Sequence, residues 1–150
     1  MADSNTLVLE TSKGDVTITL RPDLAPNHVE RIKTLVGEGF YDGTVFHRVI
    51  DGFMAQGGDP TGTGTGGSKL PDLKAEFTDT KHVRGVCSMA RSMNPDSANS
   101  QFFICFDTAP WLDGQYTAWG EVTDGMDVVD QFAKGEPVRN PDQINTAKLV

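Results

Sequence analysis

The stretch FHRVIDGFMAQGGD, residues 46–59, decides how this chain is read. It continues a β-branched and aromatic run, 44–50, whose side chains suit a pleated, half-buried surface. Asp51-Gly52 is a strong turn signal, and Phe53 to Gln56 form a short second run. Two strands joined by a tight turn follow from that pattern. The next stretch, GGDPTGTGTGG at 57–67, reads as a flexible loop because its glycines and threonines carry no periodic apolar face.

The same reading extends outward in both directions. Leu7 to Leu9 and the alternating Val16, Ile18 and Leu20 predict a hairpin. Pro22 and Pro26 mark the entry to a helix in which Val29, Ile32, Leu35 and Val36 repeat at helical spacing, and Gly37 and Gly39 end it. Residues 68–83 are mixed and polar, which predicts a surface connection. Strand signals return at 85–90, 100–106, 116–122 and, more weakly, 143–150, while RSMNPDSAN at 91–99 is a turn-rich loop. Met126, Val128, Val129, Phe132 and Ala133 predict a second short helix. The result is a mainly β chain of about eight strands and two helices, without repeat or linker. Eight antiparallel strands are enough to close a barrel, but periodicity alone does not carry closure.

A length of 150 residues accommodates one domain, 1–150, with a substantial core. Sixteen glycines and eight prolines favour turns, hence strands over a helix bundle. The formal net charge of −8, with Lys and Arg scattered, repels phosphate backbones, so no nucleic-acid partner is expected. The opening MADSNTLVLETSKGD has no basic region leading into an apolar stretch, and no run approaches the ~18 apolar residues of a membrane span. A soluble, cytoplasmic monomer is the expectation, although a processed exported protein would share these features. Cys87 and Cys105 sit among apolar or small residues and read as buried thiols on strands. A disulfide or redox pair is the alternative, without CxxC spacing to support it.

The usual catalytic patterns are missing. The sequence has no GxSxG, no HExxH and no zinc-spaced His/Cys cluster, and His28, His47 and His82 are far apart in sequence. GTGTGG at 62–67 lacks the Gly-Lys-Ser/Thr of a phosphate loop. No metal or cofactor is expected. Phe46, Phe102 and Trp119 are assigned to the core, and Arg48 taken alone is an ordinary strand arginine.

Three motifs in order change the reading of Arg48. FHRVIDGFMAQGGD, then SMAR at 88–91, then SQFFICFDTAPWLDGQYTAWG at 100–120 together resemble the cyclophilin family of peptidyl-prolyl isomerases. The resemblance covers nearly the whole chain, and its details are similar to bacterial or short eukaryotic members. It implies a closed eight-stranded antiparallel β-barrel capped by two α-helices. It also implies that Arg48 is the catalytic arginine, that Phe53 and Met54 form the proline pocket, and that Gln56 hydrogen-bonds substrate backbone. Ala90 and Arg91 correspond to the strand that binds substrate through its main chain, with Arg91 standing where Asn is usual. Gln101 and Phe103 correspond to groove residues, and Trp111 and Leu112 to the indole and apolar wall at the pocket edge. Tyr116 stands where many members have His, and the loop between SMAR and SQFF is one residue longer than the familiar eukaryotic pattern.

The activity so implied is acceleration of rotation about X-Pro bonds in polypeptides, assisting folding, with inhibition by cyclosporin-type ligands at Trp111. Rotation must break amide resonance against ~18–20 kcal/mol, yet it changes no covalent bond. The absence of nucleophile and base motifs is consistent with that chemistry. Two other readings stay open: a module that docks proline-containing segments without needing turnover, and a small-molecule carrier with a hollow barrel.

Overall fold

The computed structural model describes residues 5–150; residues 1–4, part of the opening stretch read for a leader, lie outside the described residues. The strands are β1 (Thr6–Thr11), β2 (Gly14–Leu20), β3 (Arg48–Ile50), β4 (Met54–Gly57), β5 (Val86–Met89), β6 (Phe102–Cys105), β7 (Ala118–Asp124) and β8 (Ile144–Leu149). Helices α1 (Pro26–Gly37) and α2 (Met126–Val129) lie between β2 and β3 and between β7 and β8. The strands form one curled sheet in the order β3-β4-β6-β5-β7-β2-β1-β8, and every pairing is antiparallel.

Closure takes a different form from a continuous ladder. The run 44–50 splits: only Arg48–Ile50 pairs with β4, while the residues before it reach across to the chain entering β8. Phe46 N–H donates to the Asp142 carbonyl at 2.9 Å, and Ile144 N–H to the Thr44 carbonyl at 2.8 Å. Val49 and Gly135 exchange bonds of 2.9 and 2.8 Å, and Val138 N–H donates to the His47 carbonyl at 2.9 Å. Single bridges thus occupy part of the edges that an open sheet would leave unpaired.

Helix α1 buries Val29, Ile32, Leu35 and Val36 against the barrel, as its spacing requires. No side chain of its own caps it. Glu76, from the stretch read as surface connection, accepts Asn27 N–H at 3.2 Å and His28 N–H at 2.8 Å, placing a carboxylate at the positive end of the helix. That connection is therefore tied into the fold; Leu70 and Leu73 also pack on the core. The second helix is a single turn, Met126–Val129, shorter than its apolar pattern. Gly125 enters it at φ +93°, where a Cβ would strike the Asp15 carbonyl.

Strands β4, β5 and β6 are buried along almost their whole length, so period-2 alternation sorts their side chains between two apolar clusters. Ala55, Cys87, Met89, Phe102 and Ile104 point into the barrel, which Phe46, Trp119 and Phe132 also fill. A lumen packed in this way leaves no room for a carried ligand. Met54, Val86, Phe103 and Cys105 point outward into a second cluster with Leu112 and Ala118. The two thiols are buried and free, and they face opposite clusters, which rules out a disulfide between them in this fold.

The loop 57–67 is not flexible in the sense its composition suggests. Asp59 is fully buried, and its carboxylate accepts the N–H groups of Thr61, Thr63, Gly64 and Gly66 and the Thr61 hydroxyl. Burial alone would raise its pKa, but these donors, Thr61 foremost, pull it down to about 2.

Candidate active site

The outward-facing cluster carries the candidate site. In the strand register Arg48 lies opposite Gln56, Gln56 opposite Phe103, and Phe103 opposite Ser88, so the four side chains form one row across β3, β4, β6 and β5. The adjacent row contains Ile50, Met54 and Cys105. A polar edge and an apolar floor therefore meet because the hairpin 48–57 places them two residues apart on one face.

Arg48 Nε donates to Glu136 Oε2 at 3.0 Å, and Nη1 donates to Gln56 Oε1 at 3.3 Å. Gln56 Nε2 donates to Gln101 Oε1 at 3.0 Å, and Gln101 Nε2 reaches the carbonyls of Gly64 and Gly66 at 3.0 and 2.9 Å. A continuous chain of hydrogen bonds thus runs from the guanidinium to the loop that Asp59 organises. Each side-chain amide is oriented by both neighbours, which fixes the guanidinium plane.

Beside this chain lies a pocket of about 130 Å³. Its lining contains Arg48, Phe53, Met54, Gln56, Ala90, Arg91, Phe103, Leu112 and Tyr116, all assigned to the site by resemblance. Well below the ~300–1,000 Å³ of ordinary ligand clefts, it suits one small apolar group. Trp111 stands at the rim, 63% exposed, its ring 5.6 Å from that of Phe53. Gln101 belongs to a second, larger hollow of about 480 Å³ that shares Gln56, Ala90 and Arg91 with the first. Phe103 meets Tyr116 edge-on at 5.6 Å, and the Arg91 guanidinium lies over the Tyr116 ring at 4.6 Å.

Behind Phe103 is an arrangement the sequence reading missed. His82 stacks on that ring at 6.4 Å; its Nδ1 lies 3.0 Å from Asp113 Oδ1 and its Nε2 3.0 Å from Ser88 Oγ. The order Ser-His-Asp resembles a nucleophile with its base, yet Ser88 is fully buried and His82 is 1% exposed. Desolvation lowers the His82 pKa more than Asp113 raises it, so the imidazole is neutral, and it braces the pocket wall. Glu136 was missed as well. It is 88 residues from Arg48, and only the bridges at Val49–Gly135 and His47–Val138 bring it close.

These features define a β-barrel protein whose candidate site lies on the outer face of the sheet, with a side-chain-sized apolar pocket beside a guanidinium. The family model for cyclophilin type peptidyl-prolyl cis-trans isomerases matches residues 6–149. A probable peptidyl-prolyl cis-trans isomerase of Brucella suis biovar 1 is 53% identical over 161 residues, covering 97% of this chain and 82% of the relative. A peptidyl-prolyl cis-trans isomerase of Helicobacter pylori is 43% identical over 136 residues, covering 88% and 83%. Among solved structures, the cyclophilin AquaCyp293 from Hirschia baltica superposes with a TM-score of 0.91 at 34% identity, covering 98% of this chain and 74% of that one. The Cryptosporidium parvum cyclophilin type peptidyl-prolyl cis-trans isomerase determined in the presence of the dipeptide ala-pro superposes at 0.90 with 30% identity, covering 97% and 98%. This chain belongs to the cyclophilin-type peptidyl-prolyl cis-trans isomerases.

Proposed function

We propose that the 130 Å³ pocket grips the ring of a proline in a polypeptide while Arg48 stabilises the twisted X-Pro bond. The observation that carries this reading is the Arg48 guanidinium, held at the pocket by Glu136 and Gln56 with N–H groups to spare. Twisting the bond removes amide resonance and localises the lone pair on the prolyl nitrogen. That nitrogen then becomes a hydrogen-bond acceptor, which it is not when planar. A guanidinium beside it stabilises the twisted state more than the ground state, and this difference lowers the barrier. Phe53, Met54, Phe103 and Leu112 hold the ring, while Gln56 and the backbone near Ala90 steady the flanking chain. That the Cryptosporidium parvum relative was determined in the presence of the dipeptide ala-pro supports a proline-containing ligand. Assistance to protein folding follows from the same chemistry, because uncatalysed X-Pro isomerisation takes ~10–100 s.

Arg48→Ala tests the reading. Arg48 is partly exposed and its ion pair lies at the surface, so stability is expected to change little. In a proline-isomerisation assay kcat/KM should fall by about 10²–10³, the cost of removing a donor that acts on the transition state. Near-full activity in this variant would remove Arg48 from the mechanism. The exposed indole of Trp111 against Phe53 also offers a surface for a cyclosporin-type inhibitor. Inhibition is expected in the same assay, weakened in Trp111→Ala, and complete insensitivity of the wild type would refute this.

A further inference from the structure

The larger hollow opens beside the proline-sized pocket, and Arg91 stands on the wall between them. Its only charged lining residues are Asp72 and Arg91. The two charges are not equally available. Asp72 accepts from Asn99 Nδ2 at 3.1 Å and lies within electrostatic reach of the buried Arg31, so its field is partly met from behind. Arg91, in contrast, forms no ion pair with a carboxylate among the described residues.

What holds Arg91 is neutral. Its Nε and Nη2 donate to the Gln115 carbonyl at 3.0 and 2.7 Å, and Nη1 donates to the Ser92 carbonyl at 2.9 Å. The rings of Tyr116 and Phe77 lie 4.6 and 5.9 Å from its guanidinium carbon. Carbonyls and ring faces fix a guanidinium without cancelling its net charge. A full positive charge is therefore held between the two hollows, on a molecule whose formal net charge is −8. Its rotamers are already restricted, so binding an anion there costs little further side-chain entropy.

We propose that the larger hollow receives an acidic side chain of the polypeptide, close in sequence to the proline, and that Arg91 selects it. This deepens the reading given under Proposed function and rests on it. A purely structural Arg91, pinning the turn at Ser92 and Met93, would make no distinction between Glu and its neutral isostere Gln.

The test uses the full chain and a set of short peptides with one proline. Glu, Gln or Lys is placed in turn at each of the two positions before the proline and the two after it. At one position kcat/KM for Glu should exceed that for Gln by about two- to fivefold, the range for a partly exposed ion pair, with Lys below both. The gap should shrink at about 0.5 M salt, where screening is strong. It should vanish in Arg91→Gln and persist in Arg91→Lys, which keeps the charge but not the fork of donors. Equal rates for Glu and Gln at all four positions in the wild type would overturn the proposal, and so would a gap indifferent to salt. Neither of those results depends on a variant folding. Turnover of the Gln peptides reports separately on the isomerase reading, which fails only if no peptide in the set is turned over.

Discussion

Arg48 has two edges committed, Nε to Glu136 and Nη1 to Gln56, which leaves its remaining N–H groups for the substrate contact proposed for it. Glu136 affects this in two opposing ways: it orients the guanidinium, and its negative charge dilutes the field that the guanidinium presents. The pair is about half exposed on both sides, so the charge term is small and orientation is expected to win. Glu136→Gln, which keeps an acceptor, should retain most activity. Glu136→Ala should lower kcat by about two- to fivefold with KM little changed, as expected for a group that helps only in the transition state. Equal losses in both variants would mean that the charge matters instead. Arg48 and Gln56 stand in one short motif, and the resemblance of that motif to a known family is what assigned both to the candidate site. Glu136 was not legible in the sequence, since nothing local links it to Arg48.

At the scale of the element, the loop 57–67 shows how composition misleads. Its glycines and threonines suggest mobility, but a single buried carboxylate, Asp59, gathers four backbone N–H groups and a hydroxyl. Asp59→Ala would leave those donors without an acceptor, at a cost of about 3 kcal/mol or more in denaturant unfolding. It should also lower activity, because Gln101 is anchored on the Gly64 and Gly66 carbonyls. The folded carboxyl titrates near 2, below the usual 3.8. Its stabilising contribution is therefore complete above about pH 4 and is lost as pH falls toward 2. A loss of stability over that interval that is absent in Asp59→Asn would confirm the assignment. Strand positions were legible from alternation. The short α2 and the split of 44–50 were not, because both depend on which neighbour the backbone finds.

For the whole molecule, the three histidines set the response to mild acid. His28, His47 and His82 are all buried, and desolvation is the largest cause of the lowered pKa of each. The folded state keeps them neutral while the unfolded chain takes up protons near pH 6.5. Stability from this source is present above pH 6.5 and declines below it, until the folded groups protonate in turn. Three protons correspond to a slope of up to about 4 kcal/mol per pH unit. Denaturant midpoints measured from pH 8 to pH 5 should fall on the acid side, and a flat profile would contradict neutral burial of the three rings. Trp119→Ala, at the centre of the barrel, should cost about 3–5 kcal/mol at any pH in that range.

By itself, the sequence determined the strand-rich character, the first hairpin and the amphipathic face of α1, while the resemblance of its motifs to a known family assigned the residues that line the pocket. Each of these is written in local periodicity or in a contiguous motif. Tertiary structure alone decided how the barrel closes, that Glu136 meets Arg48, that His82 braces Phe103 and that Arg91 carries an unopposed charge between two hollows. Those contacts join residues brought together by sheet order and single bridges, and nothing in the spacing of side chains along one strand encodes a partner two or more strands away.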